Sequence, residues 1–300
     1  MKLSANRREF FRAAGLAAAG SLWARAAQES ARPAGTLSSR PRFLIGCCAY
    51  SYAKHLAEGR MTMEDFIRKG VELGVHGVDL TTYWLKSTEP AYLASLRHLA
   101  YRNGVSFSGA AIRTDMCQAD PSKRAQELET IKHWVDATDM LGASHLRVFG
   151  GYPPEGTTEE QAIARVAEMM KAACDYAGKK GITLGIESHG GITAKASTMV
   201  EILRRVDSPF AGITLDISHF ADNPYAQLEA AIPYATQAHI KDRFSSNKEP
   251  IDLERVFARF ARASYKGYMS AEYEGDEDPM TGVPKLIEQI RSLCRKFSSV

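Results

Sequence analysis

Short apolar runs alternate with longer stretches of helical period from Arg42 almost to the C-terminus. Phe43 to Ala49 reads as a strand, because its apolar residues are contiguous and the run is short. Met63 to Leu73 then carries Phe66, Ile67, Gly70 and Val71 on one helical stripe. The alternation continues with strands expected at 75–83, 105–112, 145–149, 183–187, 212–216, 237–241 and 267–272. Helices are expected at 92–102, 122–141, 158–178, 197–206, 225–232, 252–262 and 283–295. The strands are apolar on both sides, as in a parallel sheet covered on both faces. Gly74, Gly104, Gly142 and Gly181 each follow a helix and precede a strand, where a left-handed cap is wanted. Eight such units in about 255 residues predict the α/β class and a single closed (β/α)8 barrel. An open doubly wound sheet is the alternative, but Gly46-Cys47-Cys48-Ala49-Tyr50 after the first strand is no phosphate-binding glycine loop.

The first 41 residues break this rhythm. Asn6-Arg7-Arg8-Glu9-Phe10-Phe11 resembles the twin-arginine export motif, a mild apolar run spans Ala13 to Ala24, and Ala24-Arg25-Ala26 is a small-x-small cleavage pattern. Residues 1–26 therefore read as a twin-arginine signal peptide, 27–41 (with Pro33 and Pro41) as a linker, and 42–296 as the barrel. The expectation is a periplasmic protein carried by the twin-arginine machinery. The apolar run is shorter than the ~20 residues a membrane span needs, so no stable membrane insertion is expected. The formal charge of +3 belongs to that leader: residues 1–26 hold five basic residues and one acid, leaving 33 Lys+Arg against 34 Asp+Glu. No nucleic-acid footprint is visible in that balance. Five cysteines, an odd number without a spacing pattern, argue against a disulfide framework, and adjacent Cys47 and Cys48 read as small buried residues. Homo-oligomerisation is left open.

Four of the strands end on residues that can ligate a metal. Ile182 to Ile186 stops at Glu187, Ile213-Thr214-Leu215 at Asp216, Ala238-His239-Ile240-Lys241 carries His239, and Met269-Ser270-Ala271 stops at Glu272. Strand parity puts Glu187 with Gly185, Asp216 with Thr214, His239 with Lys241 and Glu272 with Ser270 on the barrel side. The C-terminal mouth is where barrel enzymes do chemistry. Three carboxylates and an imidazole converging there would repel each other without a positive charge between them. One divalent cation is expected, with Mn²⁺, Mg²⁺ or Co²⁺ favoured by the oxygen-rich set and Zn²⁺ admissible. Lys241 and Arg147 share inward parity and could bind a substrate oxygen, or equally form salt bridges with Asp242, Asp216 or Glu187. His189, just past Glu187, is a further substrate-binding candidate, and Tyr50, Tyr52, Tyr83 and Trp84 read as a ring-stacking wall or as core. Asp276, Glu277 and Asp278 read as a solvated loop.

Five segments together resemble the sugar phosphate isomerase/epimerase family of xylose isomerase-like barrels: Leu73-Gly74-Val75-His76-Gly77-Val78-Asp79-Leu80, Gly185-Ile186-Glu187-Ser188-His189, Asp216-Ile217-Ser218-His219, His239-Ile240-Lys241-Asp242 and Ser270-Ala271-Glu272-Tyr273. The resemblance covers about 42–296 and implies Glu187, Asp216, His239 and Glu272 as metal ligands, with Glu187 and Glu272 also the acid/base pair. It implies that His219 hydrogen-bonds a substrate oxygen. The family's arginine after the metal histidine would fall at Ser245, and Arg243 is the nearest candidate. The implied activity is metal-dependent isomerisation or epimerisation of a sugar or sugar derivative through a cis-enediolate. The alternative is a metal-dependent lyase or dehydratase acting on a keto-sugar or keto-inositol. An endonuclease IV-like enzyme would need histidines near Thr81 to Trp84 and Ile112 to Asp115, where there are none. Retention of both glutamates argues against a non-catalytic sugar-binding module. Export further favours an unphosphorylated carbohydrate.

Overall fold

Eight parallel strands close into a barrel in sequence order: β1 (Arg42–Cys48), β2 (Gly77–Thr81), β3 (Ser106–Ala111), β4 (His145–Val148), β5 (Thr183–Glu187), β6 (Ala211–Asp216), β7 (Ala235–Ile240) and β8 (Lys266–Ala271). β1 pairs with β8 over six residues and seals the cylinder. The computed structural model describes residues 40–298. Arg7, Arg8, the Ala24-Arg25-Ala26 pattern and nearly all of the linker expected at 27–41 lie outside the described residues. No described helix is long and apolar enough to cross a membrane.

The outer layer consists of α1 (Ala53–Ala57), α2 (Met63–Glu72), α3 (Pro90–Arg102), α4 (Pro121–Leu141), α5 (Glu159–Ala177), α6 (Ala196–Val206), α7 (Pro224–Ala231), α8 (Leu253–Arg262) and α9 (Pro279–Phe297). Local signals start them. Thr62 and Thr158 close reciprocal capping boxes with Asp65 and Gln161 at α2 and α5. Asp120 and Asp278 cap α4 and α9, each followed by a proline at the first helical position. α9 begins four residues before the expected start at 283. Pro284 suggests a break, but Asp278 and Pro279 initiate the helix upstream and Pro284 is tolerated inside it. All four capping glycines have positive φ, from 62° at Gly74 to 78° at Gly142.

The strands divide their side chains between two environments. Leu184 and Ile186, Ile213 and Leu215, and Ala238 and Ile240 belong to the apolar core cluster and are all fully buried. The opposite parity carries polar groups into the barrel. A Cβ on Gly185 would lie 2.3 Å from Thr214 Oγ1 and 2.5 Å from His145 Nε2, so only glycine lets β4 and β6 close over β5. Register shifts occur in β2–β3 at Val78/Asp79 and in β6–β7 at Ile213/Thr214. Such irregularities re-aim side chains beside functional sites.

Candidate metal and sugar-binding site

Glu187 and Asp216 are the last residues of β5 and β6, His239 is the penultimate residue of β7, and Glu272 follows β8 directly. Glu187 pairs with Thr214, Asp216 with His239, and His239 with Ser270, so each of the four lies within two residues of the next along the ladder, at the same end of the barrel. One carboxylate oxygen from each of Glu187, Asp216 and Glu272 lies within 4.8 Å of the other two. His239 Nδ1 is 3.1 Å from Glu187 Oε1 and 3.4 Å from Glu272 Oε2. The structure thus brings together the four residues expected as ligands, all of them buried.

Two basic side chains enter the same cluster. Lys241 Nζ stands 2.9 Å from Asp216 Oδ2, 3.3 Å from Glu272 Oε2 and 3.2 Å from Glu274 Oε1. Arg147 Nε lies 3.1 Å from Glu187 Oε2, and the guanidinium covers the Phe149 ring at 4.1 Å. Burial pushes the Asp216 carboxyl up, but Lys241 and His219 outweigh it and hold the group well below the ordinary carboxylate range. Burial acts likewise on Glu272, where His239 and Lys241 prevail and keep it ionised. His239 shows the complement: burial opposes its charge, yet Glu272, Asp79 and Glu187 raise its pKa well above normal.

Asp79 is the residue that the sequence reading left without a role. Its Oδ2 accepts from His239 Nε2 at 2.8 Å and also from Gln237 Nε2. A carboxylate can only accept, so Nε2 carries the proton and Nδ1 is turned toward Glu187 and Glu272. This is the carboxylate–histidine arrangement that orients a metal ligand. The signal was an aspartate between Val78 and Leu80 in an otherwise apolar strand. Glu274 and Arg113 were likewise missed, and both line the cavity above the cluster.

The donor set fits a divalent cation. Five carboxylates (Asp79, Glu187, Asp216, Glu272 and Glu274) face two permanent cations, Arg147 and Lys241. The cluster makes up part of the difference by charging His239, whose second proton sits on Nδ1 between two carboxylates. A metal ion would take the place of that proton. Asp216 Oδ2 is fully buried and faces Lys241 Nζ at 2.9 Å and His219 Nε2 at 3.2 Å, so a bound cation would share this oxygen with them or displace Lys241.

Above the cluster opens a cavity of about 530 Å³ lined by Arg147, His189, Lys241, Glu272 and Glu274 among others. His189 and His219 stack at 4.7 Å, and His219 Nε2 is 3.2 Å from Asp216 Oδ2. Burial lowers the His189 pKa, whereas Asp216 outweighs burial at His219 and raises it. Tyr50 and Tyr83 line the cavity, Trp84 backs both rings, and Tyr52 is fully buried against Phe66.

Three expectations need correction. Arg243 is exposed and outside the cavity, because its strand-like bridge to Pro250 and its bond to Lys248 O turn it onto the loop after β7. Cys48 is not simple packing: β1 parity turns its thiol inward, where Sγ donates to Glu272 Oε1 at 3.4 Å. Asp278 is more than a solvated loop residue, since it caps α9 and contacts His55 at 3.2 Å.

Fold and site together define a (β/α)8 barrel with a charged, metal-fitting mouth. The model of the xylose isomerase-like TIM barrel family matches residues 67–293, and the chain belongs to that family. D-Psicose 3-epimerase, crystallised with D-fructose, superposes with a TM-score of 0.70 at 18% identity, covering 85% of this chain and 99% of that one. L-Ribulose 3-epimerase gives 0.69 at 15%, covering 84% and 96%. The probable 3-DHS dehydratase AsbF, involved in petrobactin synthesis, from Bacillus anthracis gives 0.66 at 13%, covering 83% and 98%. At such identities the likeness is one of fold. No curated protein matches the chain in sequence.

Proposed function

We propose that the protein is a divalent-metal-dependent isomerase or epimerase of a sugar or sugar derivative. The observation that carries this reading is the pair Glu187 and Glu272, buried with Asp216 in one 4.8 Å group beneath a cavity large enough for a sugar. Glu187, Asp216, His239 and Glu272 would hold the ion, which supplies the positive charge that acidifies a C–H bond beside a substrate carbonyl. Glu187 and Glu272 come from β5 and from the end of β8, three strands apart around the barrel, so they approach a substrate from different sides. In epimerisation the ionised one takes the proton from carbon and the other, entering the step protonated, delivers its proton to the opposite face; in isomerisation the first returns its proton to the neighbouring carbon. Lys241 stands 3.3 Å from Glu272 and Arg147 3.1 Å from Glu187, and both could offer N–H groups to a developing enediolate oxygen. His219 and His189 form a stacked edge that can hydrogen-bond the sugar hydroxyls.

A lyase is the second reading, and Glu274 favours it. It lines the cavity 3.2 Å from Lys241 Nζ and is open to solvent, so it can regain a proton between turnovers. In such a reaction a carboxylate removes the proton beside the carbonyl and the C–H electrons form a C=C bond. The β C–O bond breaks, and the departing hydroxide takes a proton from an acid such as Glu274, leaving as water. The likeness to both epimerase and dehydratase barrels supports keeping the two together.

Incubation with Mn²⁺ and a panel of free ketoses and keto-sugars in deuterated water tests the proposal. An isomerase or epimerase incorporates deuterium without mass loss, and a lyase product loses one water. Glu187→Gln and Glu272→Gln should lower either signal by about 10²–10⁴-fold. Neither exchange nor water loss across the panel would contradict the reading. The Arg7-Arg8 motif, the apolar run and Ala24-Arg25-Ala26 support a periplasmic location for the mature enzyme. Replacing both arginines by lysine should retain the protein in the cytoplasm on cell fractionation.

A further inference from the structure

The cavity has a second zone that proton transfer does not need. Its volume of about 530 Å³ falls within the roughly 300–1,000 Å³ of clefts that bury drug-sized ligands, more than one pyranose ring fills. The inner end is the carboxylate cluster. The outer end carries two aromatic rings on separate loops, Tyr83 after β2 and Tyr152 after β4.

Both rings are braced from behind and open in front. Tyr152 rests on backbone: a Cβ on Gly191 would lie 3.1 Å from its Cδ1, and one on Gly190 would lie 3.2 Å from its hydroxyl. Its side chain nonetheless leaves the residue 65% exposed, far above what a packed tyrosine shows. Tyr83 leans on Trp84 at 5.8 Å, and the Arg113 guanidinium covers it at 5.2 Å. Arg113 has no carboxylate partner among the described residues, although Asp115 and Glu127 are close in the same lining. Those acids are occupied: Asp115 accepts from Cys117 N and Gln118, and Glu127 from Asp115 N. The open Tyr152 ring, with a guanidinium that rests on Tyr83 and has its N–H groups unpaired by carboxylate among the described residues, suits the C–H face and hydroxyl edge of a sugar, or an aryl group.

The geometry points to a second subsite, so that the preferred substrate is a glycoside whose first ring carries a carbonyl, bound more tightly than the corresponding free keto-sugar. Its first ring reaches Glu187, Asp216 and Glu272, while the second ring or aglycone lies on Tyr83 and Tyr152 with Arg113 bonding its oxygens. This rests on the sugar reading above and deepens it.

Calorimetric titration with matched probes tests it: D-glucose, D-galactose and D-mannose, each against its 4-nitrophenyl glycoside, plus cellobiose and maltose. The expected result is at least one glycoside bound about tenfold or more tightly than its free sugar. Tyr83→Ala, Tyr152→Ala and Arg113→Ala should each reduce that ratio with unchanged Tm, which is attainable because all three side chains are substantially exposed. Sugars that bind without any gain from the glycoside would overturn this inference alone. So would a gain that persists in all three variants. No binding by any probe, free or glycosylated, would also overturn it, while the sugar reading stands or falls on the ketose panel above.

Discussion

Asp79 shows how a single buried side chain sets the chemistry of the mouth. It is 1% exposed, is not part of the cavity lining, and bonds His239 Nε2 and Gln237. Asp79→Asn keeps the volume but removes the obligate acceptor, freeing His239 to present the wrong tautomer. Mn²⁺ affinity should fall by about 10–100-fold with the fold retained, measured by calorimetric titration alongside circular dichroism. Equal affinity in the variant would remove Asp79 from the account. Glu187, Asp216 and Glu272 were legible in the sequence because each closes an apolar run, and His239 because it carried the one imidazole in the run at the matching place in the next unit. Asp79 lies inside such a run, and nothing local announces that it faces a histidine 160 positions away. Arg243 failed for the opposite reason: sequence proximity to His239 suggested the mouth, but β7 ends at Ile240 and the chain turns outward before reaching it.

At the scale of elements, two loops build one side of the mouth by close contact. Gly151 has φ +91°, and a Cβ there would fall 1.9 Å from Asp115 Oδ1 and 3.0 Å from Asp115 Cα. The loop after β4 therefore lies directly on the loop after β3. Gly151→Ala should cost roughly 1–3 kcal/mol from backbone strain alone, and push Asp115 and Tyr152 apart. A lower Tm and weaker sugar binding, with Mn²⁺ affinity preserved, is the expected pattern in thermal melts and titrations. The strand and helix order was readable because strand runs and helical stripes differ in period. Ends were harder to read, as α9 shows: a proline argues for a break, while a capping aspartate followed by another proline argues for an earlier start. Closure of the barrel itself came from counting units, since no local residue encodes the pairing of β1 with β8.

The whole molecule carries a polar column through its barrel, and this should appear in its pH stability. His145 is buried and its Nδ1 has no partner, with the other ring nitrogen 3.2 Å from Thr236 Oγ1. Burial lowers its pKa from 6.5 to about 4. The folded state thus resists protonation more than the unfolded chain. The contribution is complete above pH 6.5 and is lost as pH falls from 6.5 toward 4, by up to about 3 kcal/mol. Asp216 and Glu272, with their lowered values, lose their contributions only in stronger acid. Urea midpoints between pH 7 and 4 should fall in the parent protein and fall less in His145→Gln; parallel slopes would contradict the assignment.

If Glu187, Asp216, His239 and Glu272 hold one divalent ion, chelator-treated protein titrated with Mn²⁺ and Co²⁺, with bound metal counted after dialysis, should take up one ion per chain and gain in Tm. Binding should be lost when Asp216→Asn and Glu272→Gln are combined. A protein that stays metal-free, or a double variant that binds as the parent does, would contradict this reading.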